Sequence, residues 1–166
     1  MPTVFRLAPM STSLRVLTWA LFLLPAVLLY QGVQSPAPTR AVLLATVAFV
    51  VLVYASVWFV WRPTRFEIDA GTLRIVWPTR SRTILRTAVE DVRIVTAAQF
   101  RAEFGYGMRI GAGGLWGGFG LLKMRATTFS MWISRLDRFV IVGLRGARPL
   151  LVTPEEPERF AAALAG

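Results

Sequence analysis

Residues 41–61, AVLLATVAFVVLVYASVWFVW, carry no charge in 21 positions. A helix rises ~1.5 Å per residue, so this stretch reaches ~31 Å, about the thickness of a bilayer's hydrocarbon core. The buried helix of a soluble domain rarely avoids charge for so long, and the stretch reads as a membrane span. Trp58 and Trp61 close it, where interfacial aromatic residues belong. The rest of the chain is then organised around an anchor.

Toward the N-terminus, residues 16–33, VLTWALFLLPAVLLYQGV, form a second and shorter apolar run with Pro25 inside it. A secretory signal is the competing reading, because Arg6 and Arg15 precede the run. The nearest small-x-small site, Val33-Gln34-Ser35, is followed by Pro36, which opposes cleavage. The run therefore reads as a retained span with a mild kink at Pro25. Between the two spans lies QSPAPT, a polar turn, which makes them an antiparallel hairpin. Arg6 and Arg15 precede the first span, Arg62 and Arg65 follow the second, and only Arg40 sits at the turn. The positive-inside rule puts both termini in the cytoplasm.

Composition divides the chain at the same place. Hydrophobic residues make up 55% of the 166 and charged ones 17%, against roughly 45–50% and 25% in ordinary soluble domains. All nine acidic residues lie at or after Glu67, and only three of the nineteen basic ones precede Arg62. Residues 1–61 are thus a tail and a two-helix membrane hairpin, and 62–166 a second unit with an excess of arginine. There is no histidine and no cysteine. That removes a Ser-His-Asp triad, a Cys-His pair, an ordinary zinc site and any disulfide. Glu90 and Asp91 are neighbours, so on a strand they face opposite ways. No S-x-x-K precedes Lys123, the only lysine. No catalytic residue, metal, cofactor or small-molecule substrate is expected.

Beyond Arg62 the period changes to two. RFEID puts Phe66 and Ile68 on one face, DAGT turns, and TLRIVW alternates through Leu73, Ile75 and Trp77, a hairpin. Short strands follow around Ile84 and Leu85, and in VRIVTA. TFSMWIS places Phe129, Met131 and Ile133 inward with Ser130 and Ser134 outward. RFVIVGL and PLLVT form a last hairpin. Thr153 and Glu156 make a Thr-x-x-Glu capping box for a terminal helix over about 154–164, with Phe160 and Leu164 on its apolar face and Pro157 able to displace its start. About seven short antiparallel strands and one closing helix suggest a small sandwich or barrel.

Eight of the thirteen glycines fall between Gly105 and Gly120, six of them in GAGGLWGGFG: Gly111, Gly113, Gly114, Gly117, Gly118 and Gly120. The spacing fits neither a dinucleotide fingerprint nor a Walker loop. The segment is too short to span a bilayer as a helix. The structural reading is strand bending and close backbone approach, with Trp116 and Phe119 filling the barrel core or its mouth. A phosphate nest and a shallow interfacial loop are the lesser alternatives.

RFEIDAGTLRIVW, the basic turn before TILRTAVEDVRIV, GAGGLWGGFG and the closing VIVGLRGARPLLVTPEEPERFAAAL together resemble the bacterial pleckstrin-homology-like domain family over about residues 62–164. The order of the motifs carries the resemblance. It implies a seven-stranded, two-sheet barrel capped by a C-terminal helix, following two membrane helices in the bacterial inner membrane. It implies no activity, and phosphoinositide binding does not transfer.

The unit from Arg62 onward carries sixteen basic and nine acidic residues, a net of +7. Each basic residue near an anionic membrane surface contributes ~1 kcal/mol of attraction. Arg62, Arg65, Arg80, Arg82 and Arg86 are the candidates for lipid contact, and orientation of the spans is the equal alternative for them. Nothing points to nucleic acid. The expectation is a membrane-anchored, non-enzymatic interaction module that binds a protein partner, anionic lipid or its own copies. The alternative is an accessory subunit of a larger membrane transport or stress-response complex.

Overall fold

The computed structural model describes residues 2–166. A short strand β1 (Thr3–Arg6) leads into helix α1 (Thr12–Gln34). Ser35 and Pro36 turn the chain, and α2 (Ala37–Ser56) returns beside α1 and ends in a π-helical turn, Val57–Trp61. Each helix begins four residues before its apolar run. Pro38, in the first turn of α2, lacks only an amide hydrogen that would have gone unpaired there. Both helices are long and apolar enough to cross a membrane, with mean hydropathy 1.9 and 2.4. Their most apolar stretches are only 11% and 6% buried, the reverse of a core helix. The Tyr54 hydroxyl ties the pair together, donating to the Leu21 carbonyl at 2.7 Å.

The remainder is mainly β. Strands β2 (Arg65–Ile68), β3 (Thr72–Val76) and β4 (Ser81–Leu85) join β1 in an antiparallel sheet of order β1-β2-β3-β4. Then come β5 (Val89–Thr96), α3 (Ala97–Phe104), β6 (Met108–Gly113), β7 (Gly118–Lys123), β8 (Thr128–Ile133), β9 (Arg138–Leu144), β10 (Leu150–Val152) and α4 (Pro157–Ala165). Six of these strands form a second sheet, ordered β5-β9-β10-β8-β7-β6, antiparallel except where β10 runs parallel to β8.

The two sheets share one core. Phe66, Ile75 and Trp77 of the first meet Trp132, Val140, Val142 and Leu150 of the second, and Phe160 and Leu164 of α4 close the end. On its other face the second sheet buries Phe129, Met131, Phe139 and Ile141 beneath Phe100 of α3. Central strands covered on both faces lose the alternation of a half-exposed sheet.

Several expectations are corrected here. Among the described residues there are ten strands, not seven, and neither sheet closes on itself. The added strands are β1 and the glycine-rich pair β6–β7. Ser130 and Ser134 are buried, at 6% and 1% exposure, because their strand is covered on both faces: α3 lies over Phe129, Met131 and Ile133, and the first sheet with the N-terminal segment lies over the side that carries the serines and Trp132. Ser134 Oγ donates to the Ala8 carbonyl at 2.5 Å, and Thr153 Oγ1 accepts from the Ser134 amide at 2.9 Å. That buried bond takes Thr153 out of its expected capping box. The last helix starts at Pro157 rather than Pro154, with Glu156 at the cap position.

β1 pairs with β2 through Phe5 opposite Phe66, and Ala8 donates to Thr153 at 2.9 Å. The chain therefore leaves the first sheet to enter α1 and returns to the same sheet after α2. Both ends of the helical hairpin are held by the β region.

Candidate functional site

Two features of the β region meet the helical hairpin. The first is the glycine-rich hairpin. Gly111 on β6 lies opposite Gly120 on β7, with φ of 132° and 129°. A Cβ on either would strike the carbonyl of the opposing strand, so only glycine lets the two backbones come this close. Gly113 pairs with Gly118, and Gly114–Gly117 form the tip, closed by a hydrogen bond from the Gly114 amide to the Gly117 carbonyl at 3.0 Å.

The tip sits on α1. A Cβ on Gly114 would lie 3.3 Å from Leu17 and 3.4 Å from Leu21, a tight fit, and φ of 94° would strain any side chain there. Thr18 Oγ1 lies 3.0 Å from the Gly114 carbonyl and 2.8 Å from the Leu14 carbonyl, and accepts from the Trp116 amide at 3.1 Å. One hydroxyl thus satisfies polar backbone of the tip inside an apolar seat. Trp116, at φ 57°, is the one non-glycine residue with positive φ among the described residues. Its ring packs edge-on against Trp58 at 4.8 Å and Phe22 at 5.7 Å. Phe119 is fully buried in the core, and Trp116, half-buried at the margin of the same core, also packs on both helices.

The second feature is the β3–β4 turn. A helix ends with carbonyls that lack partners, and beside lipid these are costly. Three side chains of the turn supply donors. Thr79 Oγ1 reaches Phe59 O at 3.0 Å, Arg80 Nη2 reaches Val60 O at 3.2 Å, and Trp77 Nε1 reaches Trp61 O at 3.0 Å. The Arg62 amide closes the wide last turn on Val57 O at 3.0 Å. Arg80 also brings a positive charge to the negative end of the helix.

The five arginines expected to touch lipid separate. Arg62 follows α2 directly, its guanidinium 4.4 Å from the Trp58 ring centroid. Its Nε is buried without a partner. Burial pushes the Arg62 pKa down from its ordinary value, and an arginine stays cationic at neutral pH regardless. Arg65 is taken up by Glu67 at 2.6 Å. Arg80 and Arg82, with Trp77, Ser81 and Trp132, line a shallow cavity of about 280 Å³ beside the end of α2. Arg86 lies beyond the far end of β4, ~17 Å of extended chain away, and its Nη2 bonds Leu164 O at 3.2 Å, at the end of α4. Three cations therefore gather near the helix end: Arg62, Arg80 and Arg82. Of the two tryptophans expected at the membrane interface, Trp58 is committed to Trp116, and Trp61 lies along β6, 3.2 Å from where a Gly111 Cβ would stand.

Thr18 escaped the sequence reading, and Trp116 was read only as a filler of the core or its mouth. The signal for Thr18 was a hydroxyl in an otherwise apolar span, which is often there to bond a neighbouring element. Chemically, the cavity offers cations against aromatic walls, suited to an anionic group. Glu90 and Asp91 are engaged by Arg145 and Arg93. No family model matches the chain, and no curated protein or solved structure matches it either.

Proposed function

We propose that this protein is a membrane-anchored, non-enzymatic interaction module. Its hairpin crosses the bacterial cytoplasmic membrane twice, with both termini in the cytoplasm. The β region, pleckstrin-homology-like in its pairing of two sheets with a closing helix, rests on the inner face. There the Trp77–Arg80–Arg82–Trp132 cavity takes an anionic lipid headgroup. The supporting observation is that the β3–β4 turn bonds the last three carbonyls of the π-helical turn that ends α2. A cavity built on that turn lies at headgroup depth if α2 spans the bilayer. Protein partners bind elsewhere on the same platform. In the alternative reading, an accessory subunit, other helices rather than lipid cover the hairpin.

The test uses the full chain, since β1 comes from residues 3–6 and a fragment starting after the hairpin lacks it. The protein is placed in nanodiscs of mixed neutral and anionic lipid, and the lipid retained after mild detergent transfer is measured by native mass spectrometry. Retention of anionic lipid, reduced several-fold by Arg82→Gln, supports the reading. Arg82 makes no bond to α2, so its loss leaves the helix cap intact. Equal retention of neutral and anionic lipid would sink it.

A further inference from the structure

The two edges of the six-stranded sheet differ. At one, β5 is flanked by α4, and its acidic Glu90 and Asp91 are paired with arginines. At the other, β6 pairs with β7 on one side and, among the described residues, with no strand on the other. Its outward backbone groups are an unused half-ladder, the usual template for strand addition. Along it Met108 is 59% and Ile110 49% exposed, and Tyr106 just before it 85%. A cavity flanks the edge on each face. One, about 420 Å³, is a wide and nearly flat depression lined by Tyr106, Met108, Lys123 and Arg125, and the other, about 280 Å³, lies beneath α3 with Phe100, Arg101 and Arg109 on its walls. Among the described residues, Arg101, Arg109, Lys123 and Arg125 have no carboxylate partner, while seven other arginines do.

We propose that the β6 edge docks an extended, acidic segment of a partner protein, adding a seventh strand whose side chains alternate between the two cavities. The proposal rests on the interaction-module reading and names the chemistry of its protein partner. Charge selects the occupant: neighbouring carboxylates on an added strand point to opposite faces, one toward Lys123 and Arg125 and the other toward Arg101 and Arg109, so an acidic strand meets four unpaired cations.

A second copy fits poorly. The tip of the β6–β7 hairpin sits beside Leu17 and Leu21, Gly111 lies beside Trp61, and Tyr106 is a further five residues out, ~16 Å along an extended chain. The strand thus runs away from the helix ends. Antiparallel pairing of two such strands would turn one copy upside down in the bilayer. Upright copies related by a twofold axis would hold identical backbone groups level, where a parallel ladder needs them staggered.

The experiment uses the full chain in zwitterionic nanodiscs and a short synthetic peptide in which pairs of glutamates alternate with pairs of valines, so that each face of the strand carries carboxylates. The peptide is expected to bind, to slow amide exchange along residues 108–112, and to weaken about tenfold when Arg109→Glu and Lys123→Glu are combined. A peptide with proline at alternate positions should not bind, and this control holds even if the charge-reversed protein folds badly. Absence of binding, or equal binding of a lysine–valine peptide, overturns the proposal. The chain has no cysteine, so Ile110→Cys gives a single reporter. Disulfide-linked dimers through that position in native membranes would assign the edge to a second copy. Quenching of a label there by brominated lipid would assign it to the bilayer. Both results overturn the proposal. Lipid retention at Arg82 is read separately, so either hypothesis can fail alone.

Discussion

At the Ser35–Pro36 turn the helical hairpin touches only itself: Gly32 lets α1 approach Leu43 and Leu44 closely, and Ser35 and Arg40 bond backbone carbonyls of the same turn. At the opposite end the hairpin is gripped from three sides. β1 holds the start of α1, the glycine tip lies on Leu17, Thr18 and Leu21, and the β3–β4 turn bonds the end of α2. The free end is what a helix pair needs to sit in lipid, where backbone bonds are internal and side chains are apolar. The gripped end fixes the β region against the helices, so its Arg80–Arg82 face cannot swing freely. Substitutions should therefore matter at one end and hardly at all at the other.

The largest effect is expected at the glycine pair. Gly120→Val puts a side chain into the Ile110 carbonyl and demands a β-branched residue at φ 129°. The cost is about 3 kcal/mol or more, summing strain and lost pairing. Thermal unfolding in detergent should show loss of the cooperative transition or a large drop in its midpoint. A near-native midpoint would mean β6 and β7 are not packed this closely.

Next is Trp116→Ala, which removes the ring held between Trp58 and Phe22. Truncating a well-packed tryptophan costs about 3 kcal/mol, and somewhat less here because the ring is only half-buried. Hydrogen exchange should rise in residues 114–117 and leave the β9–β10 core unchanged. A uniform rise would instead show that the tip and the core unfold together.

Thr18→Val keeps the shape of the side chain and removes the hydroxyl. It leaves the Trp116 amide and Gly114 carbonyl without their partner, costing about 1–3 kcal/mol. Thr18→Ser should restore most of the loss. If valine matched the wild type, water or another group would be serving the tip.

How much of this was legible depends on distance along the chain. The pair of helices was, because two long uncharged runs parted by a polar, proline-marked turn leave little besides a helical hairpin. Phe66, Ile68, Leu73 and Ile75 were, because that sheet has one covered face and keeps a clean alternation. Ser130 and Ser134 misled because their strand is covered on both faces, which no local pattern distinguishes. The two capping boxes make the point sharply. Thr96-x-x-Gln99 went unread, yet both of its reciprocal bonds form and start α3. Thr153-x-x-Glu156 was read, yet Thr153 turned to Ser134, 19 residues away in sequence. A cap motif states a local preference, and a buried donor with no other partner overrides it. The same limit separated the arginines: Arg86 and Arg80 stand six apart in sequence, but they cap different helices.

The smallest effect is expected at the free end, and it tests the comparison most directly. Arg40→Gln removes a guanidinium whose only bonds are to the Ser35 carbonyl, at 3.3 and 3.2 Å on an exposed turn. A surface change of this kind shifts stability by about 0.5 kcal/mol or less. The unfolding midpoint in detergent and the exchange pattern of residues 62–166 should both match the wild type. The same substitution also removes the one positive charge on the turn side, which strengthens the charge bias that sets orientation. Cysteine placed at the turn should therefore be labelled from the outer face at least as completely in the variant as in the otherwise wild-type chain. A destabilised β region would mean that the distal turn communicates with the gripped end through the helices. Labelling from the inner face would reverse the orientation and take the Arg80–Arg82 cavity away from the cytoplasmic lipid leaflet.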